Sequence, residues 1–261
     1  MEKFLAKKSL GQNFLIDNNV IKKIVNLESL KNRNVIEIGP GKGALTDEIL
    51  KKKPRSLYII EKDHYLFKEL KKKYKLNKKI KIFNQDILNF DIEKISLKNT
   101  IIFGNLPYNI SSQILVKILR FKIWPCKYSN LIFMFQKELG EKITAQFNSP
   151  NYGRLSILRN FRLRVKEEFL VSKNSFFPKP KVTSKVIHFV PYPSKSFKIK
   201  NLSTLEYVTR IIFSNKRKMI NKNIKKILTA KQIRDLSCLN LCSRPTEIPP
   251  NIYYKIAEII E

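Results

Sequence analysis

The chain contains 261 residues, 43% of them hydrophobic, which is enough for one large core, alone or with a small appendage, and excludes a disordered chain. Its 52 Lys and Arg residues outnumber 21 acidic residues. The formal charge of +31 predicts a polyanionic partner bound in a salt-dependent way, although lysine enrichment in an AT-rich genome would produce part of this excess.

Neither a metal site, nor membrane insertion, nor export is predicted. Three cysteines and two histidines are too few for a convincing four-ligand zinc site. The apolar run Leu131–Phe135 is far too short to cross a bilayer. No arginine precedes Arg33, and the same stretch carries acidic residues, which argues against a secretory signal or a transit peptide. We therefore expect a cytoplasmic protein.

The first predicted helix follows a basic, polar N-terminal segment. This segment ends in Gly11–Leu15, and Asp17 has the character of an N-cap. Apolar residues then recur on one helical face. Spacing alone leaves open whether the preceding segment is a tether or a lid over a ligand.

A glycine loop joins the next strand to a helix. The strand Val35–Ile38 runs directly into Gly39, Gly41 and Gly43, and the helix that follows contains Leu45. This order is typical of the nucleotide-binding end of a βαβ unit, where glycines allow the backbone to approach a ligand closely. The spacing differs from the G-x-G-x-x-G of pyrophosphate loops, which weakens a dinucleotide interpretation.

Acidic residues follow the second and third predicted strands. Glu61 ends the strand Leu57–Ile60 about 20 residues beyond the glycine loop, where a carboxylate can accept hydrogen bonds from both ribose hydroxyls. Asp86 follows the strand Ile80–Phe83 and could accept from an adenine amino group. Glu61 alone would be read as a surface charge; with the loop before it, ribose binding is favoured.

The fourth strand, Ile101–Phe103, leads into Gly104–Tyr108. In a parallel sheet this stretch should lie beside the glycine loop at one edge. A proline turn capped by a polar residue would have the same sequence. The neighbouring motifs must therefore distinguish a structural turn from a ligand-binding segment.

The residue types in this stretch suit an adenine amine. Because the N6 lone pair is delocalised into the ring, two acceptors aimed at the amine hydrogens would return electron density to nitrogen. The Asn105 side-chain carbonyl and the Leu106 backbone carbonyl can supply them, since Pro107 biases Leu106 toward an extended conformation. Tyr108 would stack on the base.

The remaining segments build the core and a second domain. Ile110–Leu119 and Gln136–Phe147 are predicted helices, while Leu131–Phe135 and Val186–Val190 are predicted strands. We place a catalytic domain at residues 1–193 and a small all-α domain at 194–261, after a proline-containing linker. A group of basic residues in the second domain would form either a phosphate-contacting face or a solvated helix face: Lys216, Arg217, Lys218, Lys222, Lys225 and Lys226.

In combination these motifs resemble the S-adenosylmethionine-dependent adenine N6-methyltransferases, and more closely the KsgA family of small-subunit rRNA adenine dimethyltransferases. The resemblance covers nearly the whole chain and implies an α/β, Rossmann-like class I methyltransferase domain with a small helical C-terminal domain. Five segments carry it: GQNFL (Gly11–Leu15), EIGPGKGALT (Glu37–Thr46), GNLPYNIS (Gly104–Ser111), YGRLS (Tyr152–Ser156) and FFPKPKVTSKV (Phe176–Val186).

The resemblance also implies roles for individual residues. Phe176 would face Tyr108 across a flipped base, with Pro178 and Pro180 stiffening its loop, and Asn105 would touch both cofactor and target amine. The other implied cofactor contacts are Asn13 and Leu15 from the N-terminal segment, Gly39 and Gly41 at the methionine half, Glu61 at the ribose and Asp86 at the adenine.

The implied reaction is methyl transfer from S-adenosylmethionine to N6 of two adjacent adenines near the 3′ end of 16S rRNA. The partner would be the 30S subunit or its precursor, and the enzyme a monomer without a metal. A resistance-type methyltransferase acting on large-subunit rRNA is a related alternative. A nucleic-acid-binding assembly or transcription factor without turnover is an alternative from another class, and the complete set of site residues argues against it.

Overall fold

A computed structural model describes residues 11–193, 197–236 and 239–261. Within these ranges strands and helices alternate, as expected of an α/β fold. The strands are β1 (Phe14–Leu15), β2 (Asn34–Ile38), β3 (Ser56–Glu61), β4 (Ile80–Asn84), β5 (Thr100–Asn105), β6 (Tyr128–Gln136), β7 (Leu163–Val171), β8 (Phe176–Phe177) and β9 (Ser184–Pro191). The helices are α1 (Asn18–Val25), α2 (Ala44–Lys51), α3 (His64–Lys73), α4 (Ile92–Ile95), α5 (Ser111–Leu119), α6 (Lys137–Thr144), α7 (Arg154–Arg162), α8 (Leu202–Ile212), α9 (Asn221–Ile224), α10 (Ala230–Asp235) and α11 (Pro250–Ile260).

A seven-stranded sheet organises the fold, in the order β4-β3-β2-β5-β6-β9-β7. The strands from β4 to β6 pair in parallel, and β9 pairs antiparallel with β6. Ile38 stands opposite Gly104 in the register of β2 and β5, so the glycine loop and the segment after β5 begin side by side. This confirms the predicted fold class and the predicted adjacency of the two motifs.

Hydrophobic burial accounts for the central strands. All five residues of β2 are buried, and Val35, Ile101 and Ile132 belong to one core cluster that also includes Ile24 of α1 and Ile49 of α2. A strand covered on both faces is expected to be mostly apolar, and β2 departs from this only at Asn34 and Glu37. The sheet is therefore a rigid base for the loops at its carboxyl edge.

Two aspartates begin helices next to these loops. Asp17 accepts hydrogen bonds from the backbone N–H groups of Asn19 and Val20 and so caps α1, as predicted. Asp63 caps α3 in the same way through the N–H groups of Tyr65 and Leu66. Each cap supplies acceptors for N–H groups that a helix start leaves without a partner.

Several elements depart from the sequence expectations, among them the unpredicted short strands β1 and β8 and helix α4. Strand β7 and helix α7 were not predicted, and α6 ends at Thr144 rather than near Phe147. Strand β7 is one of the two edge strands, and most of its residues are exposed or half-buried. A strand with so little buried surface lacks the apolar run that identifies an interior strand.

The contacts divide the chain into two compact units. The first comprises the residues up to Lys117, Cys126–Gly140 and Val165–Pro191, and the second comprises Ile118–Pro125, Glu141–Arg164 and Tyr192–Glu261. The second unit therefore includes Ile118–Pro125, Glu141–Arg164 and residues 192–193, all of which were predicted to belong to the first domain. The predicted boundary between residues 193 and 194 stays a prediction, because residues 194–196 lie outside the described part.

Buried hydrogen bonds explain why these segments belong to the second unit. The Arg162 guanidinium is buried and donates to the backbone carbonyls of Leu119 and, at 2.7 Å, Phe121. The Tyr254 hydroxyl donates to the Ile157 carbonyl over 3.1 Å. Thus α7 packs with α8 and α11 in one helical assembly. Within the described ranges of the whole chain, no helix combines the length and the apolar character that a bilayer crossing requires.

Candidate active site

A cavity of about 310 Å³ opens where β2, β3 and β5 end. Its volume falls within the range of small-molecule sites, about 300–1,000 Å³. The wall contains nine of the residues singled out from the sequence: Asn13, Leu15, Gly39, Gly41, Glu61, Asn105, Leu106, Pro107 and Tyr108. All belong to the first unit.

The glycine loop forms one wall in a backbone conformation that favours glycine. Gly39 and Gly41 have φ values of +67° and +59°, in the left-handed region that L side chains rarely adopt. A Cβ atom on Gly41 would lie only 2.8 Å from Cδ1 of Phe14, a residue of the N-terminal segment. The missing side chain therefore lets Phe14 close over the loop.

Glu61 is a buried carboxyl group in the same wall, 7% exposed. Burial raises its pKa to about 7, although hydrogen bonds from the backbone N–H groups of Asp63 and Gly41 act in the opposite direction. The bond from Asp63 measures 2.8 Å. Such a carboxylate gains when a ligand brings further donors, because burial has removed the water that would otherwise solvate it.

The N-terminal segment lines the cavity, and two side-chain hydrogen bonds help to hold it there. The Asn105 side-chain Nδ2 donates to the backbone carbonyl of Asn13 over 3.2 Å. The Gln12 Nε2 donates to the carboxylate of Asp63 over 3.0 Å. The sequence analysis did not single out Gln12, although its place inside the Gly11–Leu15 motif was a signal that could have identified it.

Two acceptors next to each other remain available at the end of β5. Because Asn105 uses Nδ2 toward Asn13, its Oδ1 is free to accept, and no described residue donates to it. The Leu106 backbone carbonyl also lacks a donor among the described residues, while the Leu106 side chain is buried. Tyr108, half-buried, contributes an aromatic ring to the same wall.

Asp86 does not line this cavity. Its carboxylate forms an ion pair of 2.8 Å with Lys62, and Lys62 does line the cavity. Burial alone would raise the pKa of Asp86, but hydrogen bonds from Lys62 and the Leu88 backbone lower it. Asp86 is therefore connected to the cavity through its ion pair with Lys62. The spacing of the sequence motifs gave no signal for Lys62.

Phe176 does not line the cavity either. It is 3% exposed and lies in the hydrophobic core cluster, where the pairing of β1 with β8 sets it opposite Leu15. The neighbouring Phe177, opposite Phe14, is 63% exposed. The N-terminal segment and the proline-rich loop therefore pair as one short two-stranded sheet.

A buried hydrogen bond between β2 and α2 supports the glycine loop that joins them. Glu37, at 1% exposure, accepts from the Thr46 hydroxyl over 2.6 Å, which ties β2 to α2 across the loop. Burial raises the pKa of Glu37 to about 7, and the Thr46 bond opposes this rise. In the described part of the chain, no three His, Cys, Asp or Glu side chains could hold a metal ion together.

Residues 3–261 match the family model described as ribosomal RNA adenine dimethylase. Ribosomal RNA small subunit methyltransferase A of Pelagibacter ubique (strain HTCC1062) is 44% identical over 260 residues, which span 98% of this chain and 97% of the relative. The protein of the same name from Wolbachia pipientis subsp. Culex pipiens (strain wPip) is 45% identical over 232 residues, or 87% and 86% of the two chains.

Two solved structures share the fold. A dimethyladenosine transferase from Plasmodium falciparum superimposes with a TM-score of 0.77 at 24% identity, over 93% of this chain and 95% of that chain. The 23S rRNA methyltransferase ErmE gives a TM-score of 0.70 at 21% identity, over 95% and 99%. At these identities the likeness shows the architecture alone.

Proposed function

Because this chain belongs to the ribosomal RNA adenine dimethylase family, we propose that it dimethylates N6 of two adjacent adenines near the 3′ end of 16S rRNA. The methyl donor is S-adenosylmethionine. The observation that carries the proposal is that the Asn105 and Leu106 acceptors lie in one cavity with the glycine loop and Glu61. A donor and a target base would meet there.

The cavity residues suit this cofactor. The cofactor supplies an electrophilic methyl group on its sulfonium. The backbone of Gly39 and Gly41 would lie against its methionine half, because left-handed glycines present no side chain there. Glu61 would accept from the ribose hydroxyls, and Asn13 and Leu15 would close the site from the N-terminal segment. Asp86 would accept from the adenine if Lys62 moves aside.

Asn105 and Leu106 would activate the target amine by position and electrostatics. The Asn105 Oδ1 and the Leu106 carbonyl each accept one N6 hydrogen, which localises the nitrogen lone pair toward the methyl donor. No general base is needed, since the amine becomes strongly acidic once it is alkylated. The bond from Asn105 to the Asn13 carbonyl keeps the amide in the orientation that this role requires.

Aromatic side chains would hold the extruded base. Tyr108 in the cavity wall would stack on one face, and Phe176 is proposed for the other, with Pro178 and Pro180 limiting the freedom of its loop. Because Phe176 is buried in the hydrophobic core beside β1 in this structure, its role requires the two-stranded sheet of β1 and β8 to shift when RNA binds. Extruding a base from an RNA loop costs about a few kcal/mol.

The small subunit is favoured over the large one by relatives 36–45% identical that carry the small-subunit name. The partner would be the 30S subunit or its precursor, met in the cytoplasm by a monomer, and no metal takes part. Exposed basic residues of the second unit would contact RNA phosphates: Lys216, Arg217, Lys218, Lys222, Lys225 and Lys226.

The decisive experiment incubates the protein with labelled S-adenosylmethionine and under-methylated 30S subunits. We expect N6,N6-dimethyladenosine at two adjacent positions of 16S rRNA and none in 50S subunits. Incorporation into 50S subunits alone would assign the protein to the large-subunit branch. Binding of 30S subunits without incorporation would indicate a factor without turnover.

A further inference from the structure

Two serines hold Tyr108, one at its hydroxyl and one at its backbone carbonyl. Its hydroxyl shares a hydrogen bond of 2.5 Å with the Ser184 hydroxyl, and its backbone carbonyl accepts from the Ser111 hydroxyl over 3.2 Å. Ser184 and Ser111 are both completely buried. Base stacking needs only the ring of Tyr108, so it does not by itself explain why the hydroxyl is held by a buried serine.

Ser184 is placed by the sheet rather than by a loop. It is the first residue of β9, in register with Gln136 of β6. One residue earlier, the Thr183 carbonyl accepts from the backbone N–H of Lys137 over 2.9 Å. The Ser184 hydroxyl is therefore a rigid point next to the cavity, whereas the loop before it, from Phe177, is largely exposed.

Rotation of a tyrosine about its Cα–Cβ bond moves the whole ring and its hydroxyl together. A hydrogen bond at the far end of the ring opposes this movement, because the hydroxyl must stay near its partner. We propose that Ser184 is a positioning residue for the methyl transfer proposed above: it fixes where the Tyr108 ring lies and thereby the position of the stacked target adenine relative to Asn105.

A purely structural role is the competing interpretation. Burying a tyrosine hydroxyl without a partner is costly, and Ser184 could serve only to satisfy it. The two roles differ in what Ser184→Ala changes. A structural role lowers stability and leaves turnover of the folded enzyme intact, whereas a positioning role lowers kcat at saturating RNA.

The test measures single-turnover and steady-state methyl transfer to under-methylated 30S subunits for Ser184→Ala, Tyr108→Phe and the double variant. Each single change breaks the same bond, so we expect each to lower kcat about 2- to 13-fold, the effect of one net hydrogen bond, with little change in KM. The double variant should be no slower than the slower single variant. Cofactor dissociation constants should stay at the wild-type value.

Ser96→Ala is the matched control, because Ser96 is equally buried in the first unit and its hydroxyl donates to the Ile92 carbonyl, away from the cavity. Wild-type turnover of Ser184→Ala, or losses that multiply in the double variant, would overturn the proposal. If Ser184→Ala does not fold, wild-type turnover of Tyr108→Phe overturns it and a slowed kcat supports it. An inactive wild-type enzyme would instead refute the proposed function.

Discussion

The side chain of Asn105 donates its amide N–H to the backbone carbonyl of Asn13, over 3.2 Å and across 92 positions of sequence. This bond joins the end of β5 to the N-terminal segment that closes the cavity. It also decides which amide atom is left for a ligand. Because Nδ2 donates to Asn13, the side-chain oxygen Oδ1 remains to accept a hydrogen bond. One side chain thus contacts the N-terminal segment and presents an acceptor for the target amine.

Replacing Asn105 by alanine should abolish most methyl transfer. The variant loses one of two acceptors aimed at the amine, and the loss of one such electrostatic contact costs roughly 10²- to 10³-fold in kcat. Labelled methyl incorporation into 30S subunits measures the effect, with cofactor affinity expected to stay within a fewfold of wild type. Asn89→Ala, at an exposed position, is the control. Normal turnover would remove Asn105 from the mechanism.

Gly41→Ala should weaken cofactor binding. The new Cβ would meet Phe14 at 2.8 Å and would occupy a left-handed φ of +59°, so the loop or the N-terminal segment must move. Isothermal titration with S-adenosylmethionine measures the change, which we expect to exceed about tenfold in the dissociation constant. Gly153→Ala serves as control, because Gly153 is extended and its added Cβ has no neighbour closer than 4.0 Å. Equal affinities for both variants would contradict the packing argument.

Cofactor affinity should rise with pH through neutrality. Burial raises the pKa of Glu61 to about 7, so below that value the free protein holds a proton that ribose hydroxyl donors must displace. The dissociation constant should fall by up to about tenfold per pH unit below pH 7 and level off above it, with proton release on binding. In Glu61→Gln the affinity should be weaker and nearly independent of pH. A pH profile identical to that of the wild type would refute the ribose assignment.

The raised pKa of Glu61 affects folding stability in the direction opposite to cofactor affinity: stability should fall as pH rises. Because the folded-state pKa of Glu61 lies above its ordinary value of 4.5, the folded chain binds more protons than the unfolded chain between these values. The free energy of unfolding should therefore decline as pH rises from about 4.5 to about 7. Saturating cofactor should reduce this decline.

Thr46→Val should destabilise the first unit by about 1–3 kcal/mol, since it leaves the buried Glu37 carboxyl without its donor. The Thr46 bond lowers the pKa of Glu37, so the deficit should grow as pH rises and the carboxyl ionises. Urea denaturation at several pH values measures both effects. Thr209→Val is the comparison: that buried hydroxyl donates to a helix carbonyl, and its loss should cost less.

Reversing three charges on the helical unit should weaken RNA binding and flatten its salt dependence. For each phosphate that Lys222, Lys225 or Lys226 no longer neutralises, the slope of log affinity against log salt should decrease by about 0.7–0.9. The matched variant reverses three exposed lysines of the first unit, Lys72, Lys75 and Lys78, so its net charge is identical. Filter binding at several salt concentrations compares them. Equal reductions in affinity would mean that overall charge, not this face, attracts RNA.

Hydrophobic periodicity and the positions of glycine and proline residues were sufficient to predict the parallel strands of the sheet. Mostly apolar runs placed β2, β3, β5 and β6, because strands buried on both faces tolerate few polar residues. The glycine loop and the residues after β5 were assigned to one edge because parallel strands all end there, and the register of Ile38 and Gly104 agrees. Edge strand β7 was missed because an exposed strand carries no such run.

By itself, the sequence determined the residue types at the carboxyl edge and the fold that brings them there. Only the tertiary structure decided which of them share one wall. It paired Lys62 with Asp86, buried Phe176 in the core beside Leu15, and brought the Ser184 hydroxyl to that of Tyr108. The physical reason is that local hydrophobic patterns show where strands and helices lie along the chain, whereas contacts between groups 76 or 92 positions apart depend on how distant segments pack.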